Sequence, residues 1–407
     1  MSKIKKCRSC ESEKLEVVWE LEKTPYGDLF KLTSSEALEL EPRDLTLILC
    51  KNCALLQLLE TPEVDIIYGD YLYRTKITNA LSTFYKQVMA RLVNEYSISN
   101  VELTIDIGSN DGSFLANFKE KNYNVIGIEP TEESARLANA KGISTFNGYF
   151  DSEAVKHIKA QVKNPALICT NYTLANVYDL KYFLNSVKAL LDDSTIFSVI
   201  TGYHPDQFAV NMFEYVNHDH IFYFSIKSFK YLCESLDLRI VDATRVEHKG
   251  GSIQLVVAKN SSIWETQSSV NQLAQREEWL NCNSKEYVLN LRDKIEESKT
   301  VTNELIESVS CKVYGIGASI STTHLIKQFD ISNKIEFLFD DDDNKIGRFA
   351  PGSGIPVKSL SHVSRYNNSL LIILAWQHTY RILSRLKDLG FKGQVLIPLP
   401  IPKIISI

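Results

Sequence analysis

Short apolar, β-branched runs recur between Leu103 and Lys259: LTIDIG, YNVIGIE, ALICTNY, TIFSVITG and IQLVVAK. Stretches with apolar residues at helical spacing separate them, and strands alternating with helices predict a mostly parallel, doubly wound sheet. Upstream, residues from about 70 to 97 (YLYRTKITNALSTFYKQVMARLVNEY) carry the same spacing and predict a helix leading into that unit. A second alternating series, CKVYGIG, IEFLFD, SLLIILAW and GQVLIPL, predicts another α/β unit over about 300–407. Between the two, the charged segment 271–299 reads as one bridging helix, with Trp279, like Trp264, packed into a core or helix face.

A chain of 407 residues suits two or three domains. Its formal charge of −5 is small, and no segment gathers the basic excess that a phosphate backbone requires, so no nucleic-acid partner is expected. No apolar run reaches the roughly 18 residues of a membrane span. MSKIKKCRSC lacks a signal-peptide core, which gives the expectation of a cytoplasmic, reducing location. The eight cysteines are therefore read first as thiols or metal ligands.

Four of them form two C-x-x-C pairs, Cys7/Cys10 and Cys50/Cys53, with 39 residues between Cys10 and Cys50. Two such turns complete a four-thiolate tetrahedral Zn2+ site, structural in role because no ligand position stays open. The strongest signal for a small ligand follows Leu103, where the strand TIDI runs into Gly108-Ser109-Asn110-Asp111-Gly112 and then a helix. Ligands bind at such turns in open α/β sheets. The turn carries acids in place of G-x-G-x-x-G, so it suits a cationic ligand better than a pyrophosphate. S-adenosylmethionine has an amino group and a sulfonium that Asp106 and Asp111 could face. The next strand ends in Glu129, placed to hold both ribose hydroxyls. Asn171, after the third strand, opens the loop beside the adenine and methyl donor. Farther on, Gly315-Ile316-Gly317-Ala318-Ser319 could form a backbone nest for a phosphate or carboxylate.

With these residues in place, the chain resembles the nucleotide-sugar C-methyltransferases of deoxysugar pathways. The likeness covers nearly the whole chain. It includes the C-x-x-C pairs, the aromatic stretch Tyr68–Thr75 and the IDIGSNDGSFL turn. It continues through His218-Asp219-His220 followed by Tyr223-Phe224-Ser225, then Gly250-Gly251-Ser252-Ile253 and the G-I-G-A-S turn. The series Asp340, Lys345, Gly347, Pro351, Gly352 and Ile355-Pro356-Val357, and Ile372-Ile373-Leu374-Ala375-Trp376, complete it. The resemblance implies a zinc-binding region at 1–69, a Rossmann-like class I methyltransferase domain at 70–270, and a C-terminal Rossmann-like α/β domain with its linker helix at 271–407. The last would help to shape a nucleotide-sugar cleft.

It also implies C3 methylation of a nucleotide-linked 4-keto-6-deoxysugar, with His220 as base and Asp219 orienting it or contacting the sugar. His218 is the lesser candidate for base. Asn176 and Asn217 would donate to the keto or enolate oxygen, and Tyr71 and Tyr73 would close over cofactor or sugar. Two departures matter: Asn217-His218-Asp219-His220 stands where the family has Tyr-His-Glu-His, and Asn176 stands where it has a histidine. They leave the cofactor expectation intact and keep two alternatives open: O-methylation of a sugar hydroxyl, and a catalytically silent, cofactor-binding scaffold. Nothing in the sequence calls for more than a monomer.

Overall fold

The structure, a computed structural model, describes residues 3–60, 79–162 and 164–407. Three sheets organise the chain. In chain order the first eleven strands are β1 (Leu15–Thr24), β2 (Arg43–Cys50), β3 (Leu56–Leu58), β4 (Leu103–Ile107), β5 (Asn124–Glu129), β6 (Thr145–Asn147), β7 (Leu167–Asn171), β8 (Ile196–Gly202), β9 (Phe222–Tyr223), β10 (Leu238–Val246) and β11 (Ser252–Lys259).

The central sheet runs β10-β11-β8-β7-β4-β5-β6. Its strands from β4 to β8 are parallel, whereas β11 lies antiparallel to β8 and β10 antiparallel to β11. All five residues of β4 and all seven of β8 are buried. This explains why these runs read as continuous apolar segments: helices cover both faces of a parallel sheet. The chain builds β4, β5 and β6 outward in one direction, then crosses over to lay β7 and β8 on the other side of β4. The switch point, where the strand order reverses, therefore falls between β4 and β7.

The N-terminal sheet is antiparallel, in the order β1-β2-β3-β9. Its fourth strand comes from the middle of the chain, with Leu56 opposite Tyr223 and Gln57 opposite Phe222. The segment containing His218, Asp219 and His220 is thereby held against the cysteine-rich sheet.

The C-terminal sheet contains β12 (Val313–Ile316), β13 (Leu338–Asp340), β14 (Val357–Ser359), β15 (Leu370–Ile373), β16 (Gln394–Ile397) and β17 (Lys403–Ser406), ordered β14-β13-β12-β15-β16-β17. Only β17 is antiparallel. The α/β class expected from the sequence is thus observed in both units.

Two local expectations change. The segment 271–299 is not one helix: Ser268–Leu280 ends at Asn281 in the left-handed region (φ 50), and Ser284 caps a new helix, Lys285–Glu307. Asparagine tolerates that conformation, and a side-chain oxygen at Ser284 accepts the Tyr287 amide, so a four-residue turn restarts the helix in a new direction. Trp279 is not packed at all; it lies 84% exposed. Trp264 does pack, edge-on against Tyr96. Upstream, the described helix is Asn79–Glu95. No helix among the described residues is long and apolar enough to cross a membrane.

Candidate functional site

The four cysteines gather as their spacing implies. Their sulfurs all lie within 4.8 Å of one another, with Cys7–Cys53 at 3.6 Å and Cys10–Cys50 at 3.4 Å. A tetrahedral ion with Zn–S bonds of about 2.3 Å needs sulfur separations just under 4 Å, so the group fits zinc and leaves no open position. The Gln57 side chain donates to Cys7 Sγ (3.2 Å) and accepts from the Arg8 amide (3.2 Å). Gln57 also pairs with β9, so one residue links the metal site to the strand that follows His220.

At the switch point, the last turn-facing acid of β4 is Asp106, one residue before the strand's end; it is 2% exposed and accepts from the Asn171 side chain at 3.2 Å across to β7. Burial pushes the Asp106 carboxyl well above the usual carboxylate range, with the Asn171 bond opposing that. Gly108 turns the chain at φ +75, and a Cβ there would sit 2.2 Å from Thr173 Oγ1, so only glycine fits. Asn110 follows in the left-handed region, and Gly112 (φ 76) caps the helix Ser113–Lys119. The Glu129 carboxylate accepts the Asn110 and Thr131 amides, each at 2.9 Å, and so fixes the turn from the neighbouring strand. Burial raises its pKa as well, opposed by these bonds.

The remaining turn residues behave differently from one another. Asp111 is engaged by Lys141 (2.6 Å) and by the Ser113 hydroxyl, so its charge is already balanced within the chain. Ser109 faces the sheet, where a Cβ on Gly127 would stand 2.4 Å from its hydroxyl oxygen. Two buried acids and no phosphate cradle fit S-adenosylmethionine: Asp106 can face its amino group, and Glu129 its ribose. Tyr71 and Tyr73, with the stretch 68–75, lie outside the described residues.

The Asn217–His220 segment is buried apart from His220, which is half-buried. Asn217 is committed to its own turn. Its amide nitrogen donates to the Glu214 and Tyr215 carbonyls (3.2 Å each), and its oxygen accepts the Asp219 amide (3.0 Å). It is therefore a spacer that shapes the turn, with no donor left for a keto oxygen. His218 points away toward the N-terminal sheet, with Nε2 3.2 Å from the Asp44 carbonyl and its ring edge-on to Tyr26. His220 is placed differently. Its ring stacks on Tyr215 (4.0 Å, 17°), and Nδ1 lies 2.9 Å from the Tyr215 carbonyl. A carbonyl only accepts, so Nδ1 carries the proton and Nε2 carries the lone pair. Burial pushes its pKa down to about 4, which keeps the ring neutral near pH 7. Asp219 is pushed up to about 7, mainly by burial and then by the Asp28 charge. The Ile221 amide donates to the Ala175 carbonyl (2.7 Å), which brings the Leu174–Asn176 turn beside His220.

Four participants had no clear sequence signal. Tyr172, His248 and Lys249 form a stack at the end of β7: the Tyr172 hydroxyl is 3.0 Å from His248 Nδ1, and the Lys249 ammonium is 4.0 Å from the Tyr172 ring centre. Glu214 reaches into the C-terminal unit, accepting from Trp376 Nε1 (2.6 Å) and Gln377 Nε2 (2.8 Å). The two adjacent glycines after Lys249 were the only hint that this loop has a special conformation.

The C-terminal glycine turn holds a carboxylate, but the chain's own: Asp340 accepts the Ala318 amide at 2.6 Å. Lys345 bridges that turn to the N-terminal unit, donating to Asp28 (2.5 Å) and to the Ala318 carbonyl (2.9 Å).

Comparison with known proteins gives three consecutive matches. A zinc binding domain family matches residues 7–68, a methyltransferase domain family 81–243, and a C-methyltransferase C-terminal domain family 247–402. Among curated proteins the chain is similar to the C-methyltransferase NovU of Streptomyces niveus, at 26% identity over 367 residues. That alignment covers 89% of this chain and 87% of NovU. Among solved structures, magnesium protoporphyrin IX methyltransferase of Synechocystis aligns at 11% identity and a TM-score of 0.36, covering 48% of this chain and 92% of that one. A methyltransferase of Archaeoglobus fulgidus aligns at 16% and 0.33, covering 43% and 94%. At those scores the strand order, not the likeness, carries the fold.

Proposed function

Because the chain is an S-adenosylmethionine-dependent methyltransferase with a zinc-binding N-terminal part, we propose that it methylates a carbon beside the keto group of a nucleotide-linked 4-keto-deoxysugar. One observation carries this reading. His220 is held neutral, with Nδ1 fixed on the Tyr215 carbonyl, so its free Nε2 is a proton acceptor beside the switch-point loop. Transfer to a carbon beside a carbonyl requires that its C–H proton be taken, and a positioned neutral imidazole gives that proton an acceptor. The similarity to a C-methyltransferase points the same way.

Bound S-adenosylmethionine supplies an electrophilic methyl carbon. Asp106 and Asn171 would orient its amino-acid end, and Glu129 would hold its ribose. His220 accepts the proton from the acceptor carbon, Asp219 contacts the sugar, and the Leu174–Asn176 turn closes one side of the cleft. Fixing acceptor and donor in line supplies a large part of the acceleration. The four cysteines would hold zinc away from the chemistry, in a purely structural role, within the sheet to which β9 is pinned.

The test is mass spectrometry of the zinc-loaded protein with methyl-labelled cofactor and a panel of nucleotide-linked 4-ketosugars. The expected product is heavier by one methyl and has lost the proton at the methylated carbon. His220→Asn is expected to lower turnover by about 10²–10⁴-fold while cofactor binding stays unchanged. Methylation found on oxygen only, or full turnover by His220→Asn, would refute the reading.

A further inference from the structure

The turn between β10 and β11 presents a cation that the mechanism above leaves unused. Lys249 adopts φ 53, a conformation that costs a non-glycine residue about 1–2 kcal/mol. Its surroundings enforce it. Gly250 and Gly251 follow at φ +73 and +127, and a Cβ on Gly251 would lie 2.6 Å from the Asp206 Cβ, so the turn is jammed against the helix His204–Ala209. The Gln207 side-chain Nε2 donates to the Lys249 carbonyl at 3.4 Å, and the Ser252 hydroxyl to the His248 carbonyl at 2.8 Å. Strain kept in place by this many contacts is found where a side chain must be aimed.

It is aimed at the end of β7. The ammonium lies 4.0 Å over the Tyr172 ring. Tyr172 is itself left-handed (φ 60), and it directly follows Asn171, which bonds Asp106. The His248 ring that bonds the Tyr172 hydroxyl is stacked flat on Phe84 at 5.3 Å. Lys249 is half-buried and forms no ion pair among the described residues. The Asp206 carboxylate, on the helix against which this turn packs, is taken by Arg245 (2.6 Å) and Arg276 (2.8 Å). An ammonium with no ion pair among the described residues thus stands at the end of β7, where a second cation, the sulfonium, is expected. Two cations repel unless an anion lies between them.

We propose that the Lys249 ammonium binds the enolate oxygen of the acceptor, which makes Lys249 a catalytic residue; this rests on the C-methylation reading above. Residues 174–176, the turn that the Ile221 amide holds beside His220, begin two residues after Tyr172, so the ring under the ammonium and the base flank the same loop. The electrons balance as follows. His220 Nε2 takes the proton from the carbon beside the carbonyl, and the C–H pair moves into the carbon–carbon bond. The carbonyl pair moves onto oxygen, where Lys249 meets the charge. The enolate carbon then bonds the methyl carbon, the carbon–sulfur pair stays on sulfur, the carbonyl re-forms, and His220 returns its proton to water.

Proton exchange separates enolisation from methyl transfer, so it is the readout. The zinc-loaded full chain is incubated in deuterated water with S-adenosylhomocysteine and each ketosugar, and exchange at the acceptor carbon is followed by NMR. Methyl transfer is measured in parallel with the methyl donor. Removing a single oxyanion-binding group costs about 10²–10³-fold. Lys249→Met is expected to lose that factor in both exchange and kcat, with cofactor Kd within about twofold; Lys249→Arg, which keeps the charge, is expected to restore most of it. Exchange in Lys249→Met within about threefold of the parent would overturn this inference alone, as would a defect that disappears at saturating cofactor. Absence of exchange in the parent protein with every ketosugar would overturn the C-methylation reading and this inference together.

Discussion

Glu214 is a buried carboxyl that ties the turn before Asn217 to the C-terminal unit, and its protonation should be readable in stability. One carboxylate oxygen accepts from Trp376 Nε1 and Gln377 Nε2, while the other has no hydrogen-bond partner among the described residues. Burial, opposed by bonds that include those from Gln377 and Trp376, raises the carboxyl from an ordinary value near 4.5 to about 7. An acid whose folded pKa is raised costs nothing below the unfolded value, because both states keep the proton. Between about 4.5 and 7 only the unfolded state ionises, so stability falls, and above 7 the loss is complete. At about 1.4 kcal/mol per pH unit, that interval amounts to about 3 kcal/mol.

Glu214→Gln keeps an oxygen for Trp376 and Gln377 and removes the charge, but buries an amide with no acceptor, at about 1–3 kcal/mol. That cost is the same at every pH and cancels when pH 5 is compared with pH 8. Relative to the parent, the variant should therefore be less stable at pH 5 and equal or more stable at pH 8. Between pH 5 and 8 the parent loses about 2.5 kcal/mol of the total, so at about 2 °C per kcal/mol the difference in melting temperature should move by about 5 °C. Differential scanning calorimetry of the zinc-loaded protein in matched-ionic-strength buffers reads it. Melting curves that keep a constant offset from pH 5 to 8 would refute the reasoning, because a carboxyl already ionised at pH 5 gives no such crossing.

Two further expectations follow from the site. Cys50→Ser, at a fully buried ligand, should abolish stoichiometric zinc in elemental analysis and lower the melting temperature by several degrees, and chelation should do the same to the parent. Glu129→Ala removes the acceptor for the Asn110 and Thr131 amides together with the ribose contact proposed above. It should weaken cofactor binding in calorimetry by about 10²-fold while leaving zinc content unchanged, and unchanged affinity would remove Glu129 from the site.

The parts legible in the sequence are those whose physics is local. Asp106, Gly108 and Glu129 could be read because a strand, a left-handed glycine and an acid one strand later are fixed within about two dozen residues. The cysteines could be read because two C-x-x-C turns carry their chemistry with them, whatever lies between. Asn217 was misread for the opposite reason. Its residue type suits a donor to substrate, but the carbonyls of Glu214 and Tyr215, three and two residues back, already take both its N–H groups. His220 and Lys249 show the same limit from another side. A histidine is a base only when something holds its other nitrogen, and a lysine is an oxyanion group only when its charge stays unpaired. The Tyr215 carbonyl decides the first. For the second, Arg245 and Arg276 occupy Asp206 and so leave Lys249 without that partner, and those arginines come from β10 and from the helix Ser268–Leu280. Glu214 and Trp376 are 162 residues apart and meet only when the C-terminal unit docks. Periodicity reports which face of an element is buried; it is silent on which polar groups that burial brings together. At this site those pairings are what single out His220 and Lys249 for the roles proposed above.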